Sequence, residues 1–302
     1  MGINLQRFND SSFVISLVST LGGFLPPQTG HSLADLVAGQ IASHPDSPMI
    51  RAIRANQWVV RGESLGKEAL DRAVVETLRH SARSIFDLYH YIRKDQAARC
   101  LIILDPATRE LLHRPEFGER GLVIVGLHLS NFDLVQQWLC GHGLRPMVLT
   151  LPDPQGGRRK EYERRKKAGV NLVPASVAAL RQALRYLEQG GLVLTGIDRP
   201  VPDPKARPRF FGRPAALPMH HVFLAARAHV PVMVMVTNLQ ADGKYHVLTS
   251  EPIEMESHPD RNAEALQNAE KVLSVAEGFI RQAPQQWSIS LPVWPETLDL
   301  VP

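Results

Sequence analysis

His128 and Asp133 lie five residues apart in GLHLSNFDLV (126–135), where an apolar run gives way to a helical pattern. A carboxylate on the Nδ1–H of an imidazole fixes the tautomer and stabilises the protonated ring, leaving the other nitrogen to act as a general base. The proton for such a base is that of an acceptor hydroxyl, whose oxygen would attack a carbonyl carbon. The same residues also have a structural use. Ser130 or Asn131 can cap the following helix, and Asp133 in its first turn complements the positive end of the helix dipole. On spacing alone capping is the commoner use of such a pattern, and both readings stand.

Other polar groups carry a similar ambiguity. RRKEYERRKK (158–167) has seven basic and two acidic residues. It is either a solvated helix face or a landing surface for phosphates or an acidic carrier protein. Only Tyr162 could stack on a base, so nucleic acid is a poor fit. Arg209 and Arg213 flank Phe210, Phe211 and Gly212, as a hairpin with core aromatics or as a guanidinium clamp on an anion. Asp198 and Arg199 follow LVLTGI (192–197), as a surface ion pair or as part of a site at a strand end. His220 and His221 have no carboxylate partner at helical spacing, so no metal site is expected. No GxGxxG, P-loop or GxSxG pattern occurs, which speaks against a nucleotide fold and an ordinary serine hydrolase.

These groups need elements to hold them. From Gly121 the pattern alternates between short apolar runs and helical segments. The runs are 121–127, 145–151, 170–174, 192–197 and 230–238, the helical segments 133–143, 158–169, 176–191 (capped by Ser176) and 220–229. Continuous apolar runs suit parallel strands covered on both faces. An edge strand over 244–255 and a long helix over 262–284 complete the chain. Before residue 118 the pattern is helical, with helices over 32–44 (capped by Ser32) and 64–94 and no strand alternation. The expected fold is α/β: a largely parallel central sheet flanked by helices, with a helical N-terminal third. In such sheets ligands collect beyond the carboxyl ends of the strands, where His128, Asp198 and Arg199 fall.

Bulk composition agrees. Hydrophobic residues make up 44% of the 302, enough for a sizeable core, and the net charge of +4 favours anionic partners without naming them. Cys100 and Cys140 lack CxxC partners, which points to a reducing compartment. No stretch reaches the roughly 18 apolar residues of a membrane span; residues 13–25 read as an interfacial or core-packing helix.

HLSNFD, the basic RRKEYERRKKAG, GIDRP, RFFGRPAALP and VPVMVMV, in that order, resemble the bacterial lysophospholipid acyltransferase-like superfamily. The similarity is to the branch of the lipid A biosynthesis and phosphatidylinositol mannoside acyltransferases, and it covers nearly the whole chain, including PQQW and Trp294. It implies one acyltransferase domain over 1–302, with a helical part to 118 and a catalytic core from 119. It implies a catalytic pair His128 and Asp133, with Asn131, Arg165, Asp198, Arg199, Arg209, Phe211, Gly212 and Arg213 on the substrates. The implied enzyme moves a fatty acyl group from acyl-CoA or acyl-carrier protein to a hydroxyl of a lysophospholipid or glycolipid. It would need no cofactor or metal and would work peripherally at the cytoplasmic face of the cell membrane. Water as acceptor would make it a thioesterase or acyl hydrolase; a silent site would make it a lipid-binding protein. The sequence departs from the pattern at Phe132, where Trp is commoner, and at Met219-His220-His221, where Gly often follows Leu-Pro.

Overall fold

The computed structural model describes residues 23–150, 157–202, 204 and 206–302; most of the apolar stretch 13–25 lies outside them. Four helices come first: α1 (Pro27–Ala42), α2 (Pro48–Val60), α3 (Lys67–Tyr91) and α4 (Asp95–Leu101). Strand β1 (Ile102–Leu104) and α5 (Pro106–His113) lead into the alternating region. There β2 (Leu122–Gly126), α6 (Phe132–Gly141), β3 (Pro146–Thr150), α7 (Gly157–Lys167), β4 (Asn171–Pro174), α8 (Val177–Glu188) and β5 (Leu192–Gly196) follow one another. A two-residue hairpin, β6 (Arg209–Phe210) and β7 (Arg213–Pro214), precedes α9 (His220–Ala228), β8 (Val232–Leu239), β9 (Tyr245–Thr249) and α10 (Arg261–Gln282).

Seven strands form one sheet in the order β1-β9-β8-β2-β5-β3-β4, every pair parallel except β8 with β9. The α/β architecture with a largely parallel sheet is as expected. The pleat explains the continuous apolar runs. In β2, Val123 and Val125 face a core with α8, α9 and α10, while Leu122 and Ile124 face a second core with α6.

Three expectations need correction. The N-terminal third contains a strand, β1, whose three residues are too few for alternation to show. Because β1 pairs with β9, β9 is an inner strand and β1 takes the edge. And α1 begins at Pro27, not after Ser32: a proline fits the first helical position, where its missing N–H has no partner to lose. The Ser176 cap on α8 is present, its side chain accepting from the Ala179 amide.

The hairpin packs its aromatic residues against two buried indoles. Phe210 is fully buried, stacked on Trp294 with centroids 5.6 Å apart and edge-on to Trp287 at 6.0 Å. Its neighbours' amides are held by α10: Arg209 N donates to Glu270 at 2.9 Å and Phe211 N to Glu277. Phe210→Ala should destabilise the fold by about 3–5 kcal/mol, read from urea midpoints, by leaving a cavity between two rigid indoles.

Two buried histidines set a pH dependence. Burial pushes His80 down to about 4 and His221 to about 3, from an ordinary value of 6.5. The unfolded chain therefore binds protons that the folded chain refuses, and stability is lost as pH falls below about 6.5. Each contributes a slope of roughly 1.4 kcal/mol per pH unit until its folded value is reached. Urea midpoints should fall steadily from pH 7 to pH 4.5, and His80→Gln should flatten that profile.

Candidate active site

Strands β2 and β5 lie side by side in register, Gly126 opposite Gly196. Two residues beyond each pairing stand His128 and Asp198, so the two side chains meet at the sheet's carboxyl edge. The His128 ring Nδ1 lies 2.7 Å from Asp198 Oδ1. Oδ2 accepts from the His128 backbone N–H at 2.7 Å and from the Trp287 indole N–H at 2.8 Å. Asp198 is completely buried. Burial alone would push its carboxyl up, but the adjacent imidazole and the three donors outweigh burial and hold it below the ordinary carboxylate range.

The carboxylate expected on Nδ1 is thus Asp198, not Asp133. Asp133 sits in the first turn of α6 and pairs with Arg165 of α7. The reason is the turn. Asn131 caps α6, its side chain accepting from the Leu134 amide, and Ser130 adopts a left-handed φ of 51°. That geometry starts the helix at Phe132 and places Asp133 toward α7, while Phe132 packs edge-on against the His128 ring at 4.9 Å.

The 128–130 loop is held from the far end of the chain. Ser130 N donates to Gln286 O at 2.8 Å, Ser288 N and Oγ donate to His128 O at 2.9 and 3.0 Å, and Leu129 bridges Trp287. From the other side Asn131 Nδ2 donates to Ser84 O of α3 at 3.0 Å, and His80 lies 3.2 Å from Ser130 Oγ. Trp287 and Ser288 were not singled out as site residues from the sequence. Only the late PQQW signature hinted that this segment comes back to the site.

In front of the ring lies a cavity of about 550 Å³. Its inner part runs between α6 and the sheet, lined by Val135, Leu139, Leu144, Ile124, Leu194 and Met235. Its mouth carries His128, Arg165, Arg199, Tyr162 and His220, the last with Nε2 2.7 Å from Thr195 Oγ1. Gly196 lines the space beside the ring, and a Cβ there would lie in ordinary van der Waals contact with His128 Cε1, at 3.8 Å. Val135 and Leu139 belong to an apolar stripe on α6 visible in the sequence, but whether it met a solid core or an open cavity was not.

The remaining expected site residues divide. Arg165 and Arg199 line the mouth with His128. Asn131 is buried and spent on the α6 cap and Ser84, so a direct contact with substrate is not what the structure brings together. Arg209, Phe211, Gly212 and Arg213 do not line this cavity. Arg213 grips Glu63 with Nε and Nη2, the latter at 2.8 Å, and Arg209 Nη1 donates to Gly212 O at 3.2 Å. Phe211 lies under the Arg281 guanidinium at 4.7 Å. The hairpin reading therefore replaces the anion clamp: Arg213 ties the turn to Glu63, just beyond α2, the Arg209 guanidinium closes the turn on itself, and the Arg209 backbone N–H reaches Glu270 of α10. Among the described residues no group of three His, Cys, Asp or Glu could hold a metal, and no helix is long and apolar enough to cross a membrane.

An oriented imidazole at the mouth of an apolar cavity rimmed by arginines suits transfer of a long apolar group to or from a polar acceptor. Comparison with known proteins bears on that. No curated protein matches the chain's sequence. A crystal structure of the 1-acyl-sn-glycerophosphate (LPA) acyltransferase PlsC from Thermotoga maritima aligns at 14% identity over 85% of this chain and 98% of that one, with a TM-score of 0.39, a distant likeness. The family described as bacterial lipid A biosynthesis acyltransferase matches residues 67–295, a span that contains every residue of the site and well over half of the chain. The chain belongs to that family and is an acyltransferase of lipid biosynthesis.

Proposed function

We propose that the protein is a peripheral membrane O-acyltransferase in which His128, oriented by Asp198, deprotonates a lipid hydroxyl that attacks an acyl thioester. The single observation behind this is the His128–Asp198 contact at the mouth of the apolar cavity. With its Nδ1 proton held by the carboxylate, the ring offers Nε2 to the acceptor hydroxyl. The hydroxyl proton passes to Nε2 as the oxygen bonds to the thioester carbonyl carbon. The tetrahedral intermediate then expels the thiolate, and His128 returns the proton to sulfur. No acyl-enzyme forms, and the steps call for no metal or cofactor.

The acyl chain fits the inner cavity, where each buried methylene contributes about 0.8 kcal/mol. Phosphates of the acceptor, or of acyl-CoA or acyl-carrier protein, fit the basic mouth, where Arg165 is steered by Asp133. The acceptor in this reading is a lipid A-type glycolipid, which the family description supports, or a lysophospholipid, met at the cytoplasmic face of the membrane.

His128→Ala should abolish acyl transfer in a protein that still folds, with a lowered melting temperature because buried Asp198 loses one of its three donors; a variant retaining near-native turnover would refute the role. Asp198→Asn should lower kcat by about 10²–10⁴-fold, because the neutral amide cannot stabilise the imidazolium. Asp133→Asn should act chiefly on KM by releasing Arg165, and a kcat loss equal to that of Asp198→Asn would show that the carboxylates share one role. Leu139→Phe should shift the preferred donor to shorter acyl chains, measured with a thioester series. Its overpacking should cost about 1–3 kcal/mol, so melting is followed alongside.

A further inference from the structure

Helices α8 and α9 pack side by side, and both begin at the carboxyl edge of the sheet, where the cavity opens. Ala175, two residues before α8, lines the cavity, and so does His220, the first residue of α9. The first turn of each helix carries a large apolar side chain turned to solvent: Val177 is 68% exposed and Phe223 54% exposed. Four residues behind each tip stands an exposed arginine, Arg181 on α8 and Arg227 on α9. Val177–Leu187 and all of α9 contain no acidic residue.

Resting on the acyltransferase reading above, we propose that the tips of α8 and α9 are the surface by which the cavity mouth is set against an anionic lipid bilayer. One helical turn places the arginines about 6 Å behind the apolar tips. Interfacial apolar groups sit roughly 5–10 Å into the boundary between headgroups and acyl chains, so Arg181 and Arg227 come level with the phosphates as Val177 and Phe223 enter. The two helix N-termini add positive potential toward the same plane. An acidic carrier protein would be drawn by the arginines but has no use for a bare phenyl ring and isopropyl group beside them. A lipid surface uses both, and it presents the acceptor at the cavity mouth without taking it through water.

The test is local, so that any other membrane contact made by the chain does not mask it. A polarity-sensitive nitrobenzoxadiazole label is attached to the full chain at Val177→Cys or Phe223→Cys, with Cys100→Ser removing the exposed thiol, and at Gln189→Cys, exposed beyond the far end of α8, as the reference. With phosphatidylglycerol–phosphatidylethanolamine vesicles, emission at 177 and 223 should shift to the blue and rise severalfold, while 189 stays unchanged. The doubly substituted Arg181→Gln/Arg227→Gln protein should partition about thirtyfold more weakly onto these vesicles. Solvent-like emission at 177 and 223 while the protein sediments with vesicles would overturn the proposal. So would label changes seen with an acidic acyl-carrier protein and not with vesicles. Because the assay needs no turnover, His128→Ala should respond like the parent; a responsive surface on an enzyme whose turnover survives His128→Ala would remove the catalytic reading alone.

Discussion

A single buried carboxylate organises this molecule. Asp198 is shut off from solvent, and a bare charge there would cost several kcal/mol. Three donors offset that cost, and they come from two distant places in the chain: the imidazole and the amide of His128 after β2, and the Trp287 indole from beyond α10. Removing any of them leaves a charge undercompensated. The carboxylate is thus both the partner that aims His128 and the knot that ties strand β5, the 128–130 loop and the C-terminal segment together.

The cavity follows from the same arrangement. On the side of the sheet facing α8, α9 and α10 the space is filled by Phe210, Trp287, Trp294 and the valines of β2 and β8. On the α6 side the packing is incomplete near the strand ends, and the gap is lined by leucines and an isoleucine. A solid core behind the dyad and an open one beside it give a rigid base next to a space for a flexible chain. The arginine–aspartate pair between α7 and α6 holds one wall of the mouth.

Much of this was legible in the sequence. The alternating elements from residue 121, the Ser176 cap and the position of His128 at a strand end all follow from pattern and turn chemistry. Strand order was not legible. Asp198 partners His128 because β2 and β5, 70 residues apart, are neighbours in register, and no local signal specifies which strands pair. Within the short window from 126 to 135 Asp133 is the only carboxylate in view, and the family resemblance, not the spacing, named it as the partner of His128. Its place in the first turn of α6 is what the capping reading anticipated; its grip on Arg165 is not. Arg209 and Arg213 misled for a related reason. Their charge is visible in the sequence, but Glu63, which neutralises Arg213, lies 150 residues away.

The clamp on the 128–130 loop has a bearing on how the protein matures. Gln286, Trp287 and Ser288 supply bonds to residues up to 160 positions earlier. While the chain is being synthesised, His128 and Asp198 emerge long before the segment that locks them. A ribosome-bound nascent chain that stops short of residues 286–288 therefore lacks the bonds that hold the 128–130 loop from that side. Such distant closure is slow to find, so the setting of the 128–130 loop is a late event in folding.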